Sequence, residues 1–493
     1  MRRISLALAL AVSCLLVLAA CGGSNSKSSA AGADPVAGSS IAGADVAPAS
    51  ATVFASITTD STSAQWKQAM QLLAGIPSLQ TSLDKSLSSS GITLADVEGA
   101  LGPTTVFVEL GTSAKPTEVI LTNPKDSTKL KAILARDKTE KSVTTEIDSW
   151  LAIAPTQAAL DQFNAATGSG KLSDSGDFKT ATAGISADAL VKAYFKGSAI
   201  SASTLASLGS TTTTTTTSSA TKALNSAISA NQLEWGTVTV SAVAKGLSID
   251  GVFKGKKSVT NSSSTLTDQL PSGTSFAVVL NGKSLGLDKA VQSLSKNPKY
   301  SSQIPQMEAA LGVKLADLAT LAGSEMSIYG TESGVGLLIK APDPAKTKTM
   351  LDKVVALLAA QLNGSSKSVT VGGVQATELT FGTMKIDYGV KDGDLFIVTD
   401  VSALPGSSKL SSDPAYSAAA TELPIPASNL GVAFVDFAKL AALSKSGSPL
   451  VGSLDGSGSA TTNLNQLEGL SSMLGYASAN GDKVEVKAFL STK

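Results

Sequence analysis

The sequence predicts an α+β fold of two tandem repeated lobes, each a mostly antiparallel sheet covered by helices. Three observations predict it. Apolar segments of strand length alternate with segments whose apolar residues recur at helical spacing, so strands and helices share one body. The segment closing each half reads as a hairpin, and a long meander runs through the second half; both require antiparallel pairing. The same elements also occur twice in the same order. Helices over one face of each sheet are the expected arrangement.

Residues 1–20 read as a lipoprotein signal peptide. Arg2 and Arg3 supply its positive start, and Ile4 to Ala20 is almost wholly apolar. With Ser5 and Ser13 inside it, that stretch is at the short limit for spanning a bilayer. The junction Leu18-Ala19-Ala20-Cys21 predicts cleavage before Cys21 and acylation of its thiol. Each buried methylene contributes about 0.8 kcal/mol and stable anchoring takes two chains, which an acylated Cys21 meets. The expected location is the cell membrane, lipid-anchored on its extracytoplasmic face. Residues 21–46 follow as a flexible tether. Gly22 to Asp45 is rich in Gly, Ser and Ala and spans an r.m.s. distance of roughly 25–30 Å.

The first lobe is placed at 47–262 and the second at 263–493. Strands open them at Thr52 to Ile57 and at Ser275 to Leu280, each after a turn containing proline, Pro48 and Pro271. A helix follows the first strand, with Trp66, Ala69, Met70 and Leu73 on one face. Thr93-Leu94-Ala95-Asp96-Val97 matches Lys314-Leu315-Ala316-Asp317-Leu318. Thr105 to Glu109 then matches Glu325 to Tyr329 as a strand, and Glu118 to Thr122 matches Gly336 to Lys340. Asn123-Pro124 and Asp343-Pro344 each read as an N-cap with proline at the first helical position. The second of these helices carries Leu351, Val354, Val355 and Leu358 on its buried stripe. Leu190 to Tyr194 pairs with Leu430 to Phe434, and the closing hairpins are Gly236 to Phe253 and Gly475 to Leu490. A meander from Val369 to Thr399, turned at Gly372-Gly373 and Asp392-Gly393, stands where the first lobe has only Val143 to Ile153. Ser/Thr/Gly-rich segments, Thr211 to Thr217 and Ser444 to Thr462, read as surface loops.

This ordering resembles the bacterial family known as domain of unknown function 3352. The likeness rests on Pro48-Ala49-Ser50-Ala51-Thr52-Val53-Phe54, on Gln65-Trp66, and on Leu94-Ala95-Asp96-Val97 before a glycine and a strand. The resemblance implies an exported or membrane-attached protein. It transfers no catalytic residue.

Composition excludes several kinds of chemistry. The chain holds no histidine; Cys14 leaves with the signal and Cys21 is acylated. Ser-His-Asp and Cys-His catalysis are therefore removed, as are His- or Cys-ligated metal sites and disulfides. No cofactor is expected. Lysine plus arginine is 39, balancing 39 acidic residues; cleavage takes two arginines and no acid, leaving −2. Without a basic stripe, nucleic acid is not an expected partner.

The remaining motifs have plain structural readings. Gly282-Lys283-Ser284-Leu285-Gly286 matches G-x-S-x-G after a strand, but Ser284 has no histidine base and glycines suit a strand-to-helix turn. Ser82 to Lys85 and Ser293 to Lys296 are S-x-x-K tetrads, and Lys445-Ser446-Gly447 is similar to a penicillin-binding element; Ser–Lys chemistry needs no histidine. Asp387, Asp392, Asp394 and Asp400 crowd one hairpin where calcium could bind, yet Asp-Gly is also the preferred two-residue turn. Gly251 to Lys257 lacks the spacing of a phosphate loop and reads as strand.

These readings lead to a non-enzymatic envelope lipoprotein, held to the membrane by its acyl chains, that binds an envelope protein or cell-wall partner. The alternatives are a carrier of a hydrophobic ligand and, further off, a Ser–Lys acyl-transfer enzyme.

Overall fold

The computed structural model describes residues 41–89, 91–112, 115–136, 142–197, 233–296, 301–361, 363–382, 384–406, 408–445 and 469–493. The signal peptide 1–20, Cys21, the threonine run and nearly all of Ser444 to Thr462 lie outside the described residues. The protein is α+β, with antiparallel strand pairing throughout and twelve α-helices among the described residues. It divides into two compact units: Met1–Ser258 with Gln466–Ser471 and Asp482–Lys493, and Val259–Asn465 with Ser472–Gly481.

The first unit contains, in chain order, β1 (Val53–Thr58), α1 (Ala64–Ala74), α2 (Pro77–Ser89), α3 (Leu94–Ala100), β2 (Thr104–Thr112) and β3 (Lys115–Thr122). Next come α4 (Ser127–Arg136), β4 (Val143–Ile147), β5 (Trp150–Ala154), α5 (Gln157–Thr167), α6 (Gly176–Thr182), β6 (Val191–Lys196), β7 (Leu233–Val243) and β8 (Gly246–Gly255). The strand order is β4-β5-β3-β2-β1-β6-β7-β8. Sequence order assigns Lys483–Thr492 to the second half, but this strand pairs with β8 from Lys483↔Lys254 to Ser491↔Gly246 and so satisfies that edge.

Helix boundaries follow local chemistry. Ser63 caps α1, and Thr93 with Asp96 forms a full capping box on α3. Asn123 is not the cap of α4. Asp126 accepts from Lys129 N at 2.8 Å, while Lys125 N–H is spent on the Ala100 carbonyl, so the helix starts later than the Asn-Pro pair suggests.

Helices lie on both faces of this sheet, not one. Phe54, Val106, Val108, Val119, Leu121 and Ala152 face Leu160 and Phe163 of α5 and Phe178 of α6. The alternate residues Ile120, Leu151 and Ile153 face Leu83 and Leu87 of α2, Val97 of α3 and Leu130 of α4. The reason is legible in β5, Trp-Leu-Ala-Ile-Ala, which is buried at all five positions. Residues 41–46, read as tether, also join this core. Ile41, Ala44, Val46 and Ala47 are buried, because their apolar side chains cover the sheet and Ala44 and Ala47 accept from Ser173 N and Leu172 N.

The second unit contains β9 (Ser262–Ser263), β10 (Phe276–Asn281), α7 (Leu287–Ser293), α8 (Ile304–Leu311), α9 (Leu315–Ala322), β11 (Glu325–Gly330), β12 (Val335–Ile339) and α10 (Pro344–Gln361). The meander follows as β13 (Ser365–Val371), β14 (Val374–Phe381), β15 (Met384–Lys391) and β16 (Asp394–Val398). After it come α11 (Pro414–Glu422), β17 (Ser428–Asn429), β18 (Gly431–Asp436), α12 (Phe437–Lys445) and β19 (Leu470–Asn480); the last strand, β20 (Lys483–Thr492), belongs to the first unit. The strand order is β13-β14-β15-β16-β12-β11-β10-β18-β19. One face buries Ala277, Val279, Tyr329, Leu338, Phe396 and Phe434, with Tyr416 of α11 edge-on to Phe434 at 5.2 Å.

Candidate functional site

The motifs singled out in the sequence resolve into structure-forming roles. Ser284 follows β10 in a tight turn; its Oγ lies 2.8 Å from Ser262 Oγ and its N–H donates to Asn281 Oδ1. A Cβ on Gly282 would sit 1.7 Å from the Ala322 carbonyl oxygen, so close backbone approach accounts for that glycine. Ser82 Oγ donates to Ser78 O and Ser293 Oγ to Ala290 O, spending both tetrad hydroxyls on their own helices. Lys445 ends α12, and Ser446 and Gly447 lie outside the described residues.

The four aspartates do different things. Asp392 (φ 53°) and Gly393 (φ 89°) make the left-handed β15–β16 turn that Asp-Gly favours. Asp394 is buried beside the Gln269 side chain, and burial pushes its carboxyl up. Asp400 Oδ1 accepts from Ser402 N at 2.8 Å. Asp387 is raised by burial and then by Glu378, which stands directly opposite across β14. Among the described residues no group of three or more carboxylates is arranged to hold an ion.

Register brings together one pair that spacing could not have revealed: Ser56 of β1 faces Lys192 of β6. Burial lowers the Lys192 ammonium, against the pull of Asp188. Ser56 is itself buried, with Val106 as its neighbour on β2.

The open feature of the second unit is apolar. On the face opposite Tyr329 and Phe434, Leu440 and Leu443 of α12 pack over Phe276 and Val335. Farther across the sheet, Leu351 and Val355 of α10 pack with Ile397, Leu379 and Tyr388. Between these patches Val278 pairs with Ile328, and the row continues to Leu337 on one side and Ala433 on the other. Val278 is 40% exposed and Ile328 50%. Exposed large aliphatics in mid-sheet are unusual, since a sheet face of this kind is ordinarily covered. Neither helix packed on this face includes Val278 or Ile328 in its cluster. Sequence alternation identified β10 and β11 as strands, but not which face would stay open.

No curated protein and no solved structure matches this chain. A family model does, that of a protein of unknown function (DUF3352), over residues 107–486, which is more than three quarters of the chain. A match of that extent takes in β2 and every later element as far as β20, so the chain belongs to the DUF3352 family.

Proposed function

We propose that this protein is a non-enzymatic lipoprotein, anchored through acylated Cys21 on the extracytoplasmic face of the membrane, whose body binds a hydrophobic ligand. One observation carries the ligand reading: the Val278–Ile328 row is aliphatic, lies between two packed helices and is left open. Filling that space with an apolar ligand contributes about 25 cal/mol per Å² of apolar surface removed from water. It favours a hydrophobic ligand over a cell-wall partner, which would call for polar groups. The non-enzymatic reading rests on the absence of histidine and on tetrad hydroxyls already bonded to backbone.

The same proposal treats the two units as copies of one ancestral repeat. Strand order supports it, since β4-β5-β3-β2-β1-β6-β7 and β15-β16-β12-β11-β10-β18-β19 hold corresponding elements in corresponding places. The entry turns support it too. Pro48 bridges to Lys171 and Pro271 to Lys409. Each lysine leads into a short 3₁₀ turn and then a capped helix, whose Phe178 or Tyr416 meets Tyr194 or Phe434 edge-on at 5.2 Å. The copies differ where binding is proposed: Ala55, the counterpart of Val278, is buried.

Native mass spectrometry on protein purified from its own host tests the ligand reading. A co-purifying apolar molecule is expected on the unaltered chain and is expected to be lost from Ile328→Glu. A bare mass for the unaltered chain overturns it. A covalent adduct of a serine-reactive probe, on Ser56 or any other serine, would overturn the non-enzymatic reading.

A further inference from the structure

We infer that β13 is a self-association edge through which two copies of this chain pair strand to strand. β13 stands at the end of the second unit's strand order, and among the described residues it pairs only with β14. Its other flank therefore presents backbone N–H and C=O groups that water or another strand must satisfy.

The strand lacks the usual protections of an edge. It runs for seven residues, Ser-Ser-Lys-Ser-Val-Thr-Val, without proline. Residues 365–368 and Thr370 are exposed. Its one charge, Lys367, is turned back across β14, with Nζ 2.9 Å from Glu378 Oε1, so it does not guard the outer flank. The terminal strand of the first unit, β4, is shorter at five residues, and its Glu146 pairs with Lys131 of α4.

The occupant that fits is the same strand of a second copy. A two-fold axis through Ser368 in an antiparallel pairing sets Ser368 against Ser368, Lys367 against Val369, Ser366 against Thr370 and Ser365 against Val371. No like charges then stand directly opposite, and each Lys367 keeps its own Glu378. A register centred on Lys367 would oppose two lysines, whereas the Ser368 axis avoids that and keeps all seven residues from 365 to 371 paired. The contact is isologous, which closes the assembly at a dimer. One strand pairing buries less than the roughly 1,200–2,000 Å² of a standard stable interface, so the dimer is expected to depend on concentration.

Sedimentation of the full chain over a concentration series, in density-matched detergent, tests this. The unaltered chain is expected to shift from monomer to dimer. Ser368→Glu places two carboxylates across the axis and is expected to weaken the dimer at least tenfold; Ser368→Lys is expected to do the same. An equimolar mixture of the two variants is expected to restore it, and because residue 368 is exposed, that rescue separates edge pairing from misfolding. An unaltered chain that stays monomeric to ~1 mM, or single variants that dimerise undiminished, overturns the proposal. The ligand reading stands or falls separately, since Ile328 is far from this edge in strand order.

Discussion

Glu325 is the side chain on which one stretch of the second unit hangs. Its carboxylate is 6% exposed and accepts from Ser264 Oγ (2.8 Å), Thr265 N (2.9 Å), Thr265 Oγ1 and Leu266 N (both 3.2 Å). Glu325→Ala leaves those donors without their acceptor and is expected to cost about 2–4 kcal/mol in urea denaturation. Glu325→Gln keeps an acceptor oxygen and is expected to cost less. Asp250 carries a pH signature. Burial on β8 pushes its carboxyl up to about 6, Lys487 at 3.9 Å pulls it back and Glu485 adds to the rise. A carboxyl raised above its unfolded value of 3.8 protonates first in the folded chain, so its contribution to stability grows as pH falls through 6 toward 4. Its side chain is 39% exposed, and solvent screening holds the effect to about 1 kcal/mol or less. Asp250→Asn is expected to flatten that increment when urea midpoints at pH 7 and pH 4.5 are compared.

At the scale of elements, Gln65 and Trp66 acquire a physical meaning that their place in a motif does not supply. The Gln65 amide acts as a short extra strand at the end of β7, accepting from Ala242 N at 2.8 Å and donating to Ala242 O at 3.1 Å. Trp66 Nε1 donates to Glu98 Oε1 at 3.1 Å and so ties α1 to α3. Gln65→Ala removes both backbone contacts and is expected to cost about 1–2 kcal/mol, with faster amide exchange at Ala242 as the local readout. Most elements were legible because periodicity and turn residues act locally: Asp392-Gly393 turns where Asp-Gly should, and Asp343 caps α10 through Lys346 N at 2.9 Å. The cap of α4 is ambiguous in the sequence because two candidate residues, Asn123 and Asp126, stand three apart. The choice between them depends on Ala100, a residue far from both in sequence. Lys171-Leu172-Ser173 and Lys409-Leu410-Ser411 both precede a capped helix, and both are the far side of the proline bridges.

For the whole molecule, the proposed anchor is the property most open to a direct test. The unaltered chain, expressed in its host, is expected to partition into the detergent phase on phase separation, and Cys21→Ser into the aqueous phase. An unaltered chain found in the aqueous phase would refute acylation at Cys21. The candidate site was only partly legible at this scale. Absence of histidine excludes imidazole-based catalysis from composition alone, whereas the exposure of Val278 and Ile328 depends on which helices reach that sheet face.

The amino-acid order by itself determined the α+β class, the antiparallel hairpins and meander, and the family, because apolar spacing and turn chemistry are written within a few residues of one another. Only the tertiary structure decided that helices cover both faces of the first sheet, that β20 completes the edge of β8, and that Val278 and Ile328 remain open. Burial and strand partnership depend on which distant segment packs over a face or reaches an edge, and no local pattern encodes that choice.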